Sequence, residues 1–157
     1  MLDAGSRAPE FMLQSHEGID TSLSELLQDG PLILYFYPAD FTPGCTKEAC
    51  SIRDIHKDIQ AAGLNVVGIS PQDEASHARF REEHNLPFIL LSDPDKVAIK
   101  MYDVDGPFGI GVRRATFLIN QDQTIKDAML ADVRVSRHTE FIEKAVILRE
   151  AKGLKGQ

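Results

Sequence analysis

The sequence is short of several things, and each shortage removes a class of function. Basic residues are outnumbered, 17 Lys and Arg against 24 Asp and Glu, giving a net charge of −7 and a pI near 5.2. They are scattered rather than clustered, which argues against a nucleic-acid or anionic-membrane partner, since either needs a basic patch. No stretch approaches the roughly 20 apolar residues of a membrane span. The first seven residues, Met1 to Arg7, hold no apolar core of signal-peptide length, so a cytoplasmic setting is expected. There is no internal repeat, linker or low-complexity segment, and 157 residues suit one domain over 1–157. Cysteine is scarce. The two present are not expected to form a permanent crosslink in a reducing compartment, which leaves redox chemistry, metal binding or burial. The five histidines, at 16, 56, 77, 84 and 138, show no ligand-like spacing near them, so neither a metal nor another cofactor is expected.

Both cysteines fall in one stretch, Tyr35 to Cys50, which reads as strand, loop and helix start. Residues 31–37 are a short apolar and aromatic run bounded by prolines, suited to a buried strand. Pro38, Pro43 and Gly44 punctuate a loop. Beyond it, Ala49, Ile52, Ile55, Ile59 and Ala62 recur at steps of three and four, predicting one helix to about Ala62, closed by Gly63. Thr42 is the expected N-cap and Pro43 the first helical residue, so the Thr42 hydroxyl should lie near the backbone of Cys45. At a helix start, free N–H groups and the helix dipole favour negative charge. The Cys45 thiol is therefore expected to ionise readily, and the thiolate is the nucleophilic form. Five helical steps separate Cys45 from Cys50, roughly 7.5 Å of rise and about 140° of rotation, so their Cα atoms stand roughly 8 to 9 Å apart. A disulfide does not span that distance unless the first turns unwind. Such a cycle fits a catalyst better than a staple.

Before this stretch, residues 1–30 predict a hairpin and a short capped helical turn. After it come a strand at 64–70, parallel to the first, an exposed helix over 73–85 and a short extended piece at 88–91. A helix capped by Asp93 with Pro94 at its first position follows, then a glycine-rich loop over 103–113. Strands at 114–119 and 124–130 form a hairpin through residues 120–123, and a final amphipathic helix runs from Ser136 to Gly153. This is the element order of an α/β, thioredoxin-like fold: a central mixed sheet with helices on both faces. Cys45 lies just past the carboxyl end of a central strand, where chemistry gathers in such sheets.

The pattern Pro38-x-x-x-Thr42-x-x-Cys45 resembles the active-site motif of the peroxiredoxins, and Cys50 is similar to the resolving cysteine of the bacterioferritin comigratory protein (peroxiredoxin Q) branch. Ala8-Pro9-x-Phe11, Tyr35-Phe36-Tyr37-Pro38, Gly68-Ile69-Ser70, Leu90-Leu91-Ser92-Asp93 and Arg114-x-Thr116-Phe117-Leu118-Ile119 extend the resemblance over roughly residues 5 to 150. It implies that Cys45 is the peroxidatic cysteine, that Pro38 shields it, and that Thr42 and Arg114 bind the peroxide and support the thiolate. Arg113 and Arg114 form a doublet; the Thr-Phe that follows selects Arg114. Gln123 stands where the family usually has a turn glycine. The late resolving cysteine of the dimeric two-cysteine peroxiredoxins is absent, so resolution within one chain and a monomer are expected.

The chemistry implied is a thiol-dependent peroxidase acting on hydrogen peroxide and organic hydroperoxides. Thiolate attack builds negative charge on the leaving oxygen, which fixed donors such as the Thr42 hydroxyl and Arg114 guanidinium stabilise. The resulting Cys45 sulfenic acid condenses with Cys50, and thioredoxin or a similar dithiol restores both thiols. Two other readings use the same residues: a thioredoxin-like disulfide reductase or redox sensor, and a non-enzymatic interaction module. The first usually shows two residues between its cysteines, and here there are four.

Overall fold

The computed structural model describes residues 1–155. Seven strands form one mixed sheet: β1 (Met12–Ser15), β2 (Asp20–Ser22), β3 (Leu32–Phe36), β4 (Asn65–Ser70), β5 (Ile89–Ser92), β6 (Ala115–Ile119) and β7 (Ile125–Leu130). Their order across the sheet is β2-β1-β5-β4-β3-β6-β7. The apolar run that predicts a buried strand is β3. All five of its residues are buried, and it pairs in parallel with β4 and antiparallel with β6. Because successive strand residues face opposite sides, Leu32, Leu34 and Phe36 enter one core, while Ile33, Tyr35 and Tyr37 enter the other with Cys45.

Helices cover both faces. On the first lie α1 (Leu23–Leu26) and α5 (Val97–Met101), whose Leu23, Ala98 and Ile99 join the Leu34–Phe36 core. On the second lie α2 (Pro43–Asp54), α3 (His56–Ala61), α4 (Glu74–His84) and α6 (Ser136–Lys155), contributing Ile52, Ile59, Phe80 and Ile142. Among the described residues no helix is long and apolar enough to cross a membrane.

Three boundaries differ from the sequence expectation. The single helix predicted to Ala62 is broken at Ile55, whose φ of −107° and ψ of 10° end α2 and begin α3. The apolar spacing is continuous through the break because both pieces turn the same face to the sheet. The helix after Asp93 starts at Val97 rather than Pro94, since Lys96 is left-handed (φ 57°) and interrupts any helix across it. Asp93 still caps from a distance, its two carboxylate oxygens accepting from Val97 and Ile99 N–H at 2.7 and 2.9 Å. The backbone of α6 passes through Gly153 to Lys155, a single glycine costing a helix only about 1 kcal/mol. At the β6–β7 turn, Gln123 adopts φ 69°, the left-handed conformation a glycine would take without strain. Its amide bonds Ala8 O and receives Arg7 Nη2, contacts a glycine could not make.

Candidate active site

The loop leaving β3 carries Pro38, half-buried, and delivers the chain to α2, where Cys45 is the third residue and only 2% exposed. Thr42 is the N-cap, with extended backbone (φ −76°, ψ 148°), but its hydroxyl makes no capping bond. It donates instead to Ala39 O at 2.9 Å, in the loop behind it. The expected contact of this hydroxyl with the Cys45 backbone is thus absent. Pro43 has no N–H, and with Thr42 turned away no side chain caps the first turn. Those N–H groups form an anion-seeking edge beside the sulfur.

The chain brings Arg114 to the same point from the far side. It immediately precedes β6, held by its N–H to Asp132 Oδ1 (3.0 Å) and by its carbonyl, which accepts from Ala131 N–H (3.0 Å). Its neighbour Arg113 turns the other way and pairs with Asp132 at the surface, so the strand alternation separates the doublet. Arg114 is 7% exposed, and its Nη1 lies 3.3 Å from Cys45 Sγ. Gly44 permits this approach: a Cβ there would stand 3.1 Å from Arg114 Nη2. Burial works against the guanidinium's charge, but the Glu48 carboxyl and the Cys45 sulfur outweigh it and hold the Arg114 pKa above its ordinary value. Cys50 lies five residues along α2, half-buried, and both thiols are free.

Two buried carboxyls flank this centre, and the sequence reading singled out neither. Glu48 is fully buried one helical turn beyond Cys45, and its Oε1 accepts from the same Arg114 Nη1 at 2.9 Å. Burial pushes its pKa from 4.5 to about 7 despite the opposing pull of Arg114. Asp40, in the loop before Thr42, accepts from Tyr37 Oη (2.7 Å) and Ser76 Oγ (2.8 Å) and lies 2.7 Å from His77 Nδ1. The other ring nitrogen of His77 reaches Leu91 O at 3.1 Å, so α4 and β5 both hold the loop. The available signal for Glu48 was a charge three residues after Cys45, on the stripe that buries Ala49 and Ile52.

Among the described residues no group of three or more His, Cys, Asp or Glu is placed to hold a metal. The arrangement serves thiol chemistry instead: a buried sulfur at a helix start, a permanent cation on it, and a second sulfur in the same helix.

The AhpC/TSA family model matches residues 4–128. The chain is 42% identical over 143 residues to the putative peroxiredoxin bcp of Coxiella burnetii, covering 87% of this chain and 93% of that one. To peroxiredoxin Bcp of Bacillus subtilis it is 38% identical over 127 residues, 77% of this chain and 80% of the relative. Peroxidoxin BcpB of Mycobacterium tuberculosis superposes with a TM-score of 0.87 at 34% identity, over 96% of this chain and 98% of that one. A Xanthomonas campestris peroxiredoxin Q structure does so at 0.80 and 28%, over 88% and 90%. This chain belongs to the AhpC/TSA family, among its peroxiredoxins of the Bcp and Q type, which are thiol peroxidases.

Proposed function

We propose that Cys45 is the peroxidatic cysteine and Cys50 its resolving partner in a monomeric, cytoplasmic peroxidase that takes hydrogen peroxide and organic hydroperoxides. The observation that carries this reading is the 3.3 Å contact between Arg114 Nη1 and Cys45 Sγ, buried at the start of α2. A fixed cation beside the sulfur is a donor for the negative charge that the reaction develops there.

The thiolate attacks one peroxide oxygen, the O–O bond breaks, and the second oxygen leaves as hydroxide or alkoxide. Arg114 and the uncapped N–H groups of the first turn of α2 are the donors for that developing charge, and the Thr42 hydroxyl joins them by turning from Ala39 O to the bound peroxide. Half-buried Pro38, two residues beyond β3, shields the sulfur from bulk water. Cys45 becomes a sulfenic acid, and Cys50 condenses with it, releasing water and leaving a disulfide. Since both residues lie in α2, that step unwinds its first turns. A dithiol such as thioredoxin then attacks, forms a mixed disulfide and departs oxidised. The absence of any third cysteine supports resolution within one chain and a monomer.

The test is reaction of the reduced protein with less than one equivalent of hydrogen peroxide. Rapid loss of two thiols per peroxide supports the reading; oxidation no faster than that of free cysteine refutes it. Cys45→Ser should abolish peroxide consumption, and sedimentation should report a single chain.

A further inference from the structure

Glu48 has two oxygens in opposite situations. Oε1 accepts from Arg114 Nη1, an environment that suits a carboxylate. Oε2 is buried with no hydrogen-bond partner and faces His138 Nδ1 at 3.6 Å. The protonation of that imidazole follows from its surroundings. Nε2 lies 2.9 Å from Ala131 O, a pure acceptor, so Nε2 carries the proton. Burial also depresses the pKa of His138, which keeps the ring neutral. Nδ1 therefore presents its one lone pair, which takes the Thr116 hydroxyl proton at 2.7 Å and leaves the ring nothing to donate toward Glu48. A carboxylate at Oε2 faces that electron-rich nitrogen with no donor of its own. A protonated Oε2 carries no charge to be so opposed. One side of Glu48 thus favours the anion and the other favours the acid.

The choice between them is tied to Cys45, because a single Arg114 nitrogen serves both the sulfur and Oε1. When Cys45 is a thiolate, the guanidinium is shared between two acceptors. When the sulfur is neutral, Glu48 has it alone. The other titratable group facing this cluster is Tyr35 of β3, whose phenol burial and the charges of Glu48 and Cys45 keep protonated. Asp132 and Arg137 act on His138 in opposite senses, and Asp132 also couples to Arg114.

We propose that Glu48, wedged between Arg114 and His138, holds a proton while Cys45 is a thiolate and gives it up as the sulfur is oxidised, with His138 as the positioning residue that keeps the proton there. This rests on the peroxidase reading and adds the proton account to it. Thiolate and peroxide give sulfenic acid and hydroxide or alkoxide; the proton lost by Glu48 is the one that oxide gains, leaving water or alcohol and a Glu48 carboxylate. When the dithiol later reduces the disulfide, it loses two protons. One stays with Cys50 and the other returns to Glu48, so the cycle closes.

The experiment is difference infrared spectroscopy at mildly acidic pH on the full chain carrying Cys50→Ser, which halts the reaction at the sulfenic acid. Adding one equivalent of hydrogen peroxide should bleach a protonated-carboxyl C=O band, and the same protein with Glu48→Gln should lack that band. Gln keeps the acceptor for Arg114 and nearly the shape of Glu, so it preserves the packing while removing the titration. His138→Phe should weaken the band in the reduced protein. Peroxide consumed with no carboxyl bleach attributable to Glu48 overturns the proposal and leaves the peroxidase reading intact. No peroxide consumption overturns both. A band of full strength in the His138 variant removes His138 from the assignment.

Discussion

Asp40 and Glu48 are both buried carboxyls within a few residues of Cys45, yet they are treated in opposite ways. Asp40 has a donor on each oxygen, Tyr37 Oη on Oδ1 and Ser76 Oγ on Oδ2, with His77 Nδ1 2.7 Å from the second, and these anchors come from the loop itself and from α4. Glu48 is left half satisfied, one oxygen on a shared guanidinium and the other on none. A carboxyl with a donor on each oxygen is a fixed point. One with an unanswered oxygen stays responsive to charge nearby. The chain thus keeps the approach to its sulfur rigid and the back of it adjustable.

Substitutions can break this contrast. The largest effect on stability is expected at Asp40→Ala, which leaves the buried Tyr37 hydroxyl without its carboxyl acceptor and should cost about 1–3 kcal/mol in denaturant unfolding. A loss below 1 kcal/mol would mean that the loop does not depend on this anchor. For activity, Arg114→Ala should slow sulfenic acid formation about 10²–10³-fold in stopped-flow measurements, the usual loss for one transition-state donor.

Glu48→Gln sharpens the comparison through pH. The folded pKa of Glu48, about 7, lies above its ordinary 4.5. Its favourable state is the protonated one, fully present below pH 4.5 and lost as pH rises toward 7. The parent protein should therefore lose stability relative to Glu48→Gln across that window, and a constant difference in denaturation midpoints would contradict the assignment. The smallest effect belongs to Arg113→Ala. Its pair with Asp132 is exposed, so neither unfolding nor peroxide reduction should change appreciably. An activity loss matching that of Arg114 would reverse their assignment.

Much of this was legible beforehand. Pairing of β3 with β4, the β6–β7 hairpin and the start of α2 at Pro43 follow from local apolar spacing and proline placement, which act over a few residues. The meeting of Arg114 with Cys45 was reachable only through family resemblance, since 69 residues separate them. Glu48 and Asp40 escape a sequence reading, and His77 and His138 show in it only as histidines without ligand-like spacing, because a charged residue in sequence looks solvated until packing buries it. The Thr42 hydroxyl was misplaced for a related reason. As a cap it would accept from an N–H of α2, but the loop folds so that it donates to the carbonyl of Ala39 instead. The break at Ile55 hides because both helices present one apolar face.

That break has a mechanical consequence. Had α2 and α3 been one rod, loosening the coil around Cys45 would have strained everything from Pro43 to Ala61 and tugged on β4 behind it. With the discontinuity at Ile55, the unwinding that the proposed disulfide requires is confined to the 12 residues of α2. The helix that feeds the central sheet would then stay seated.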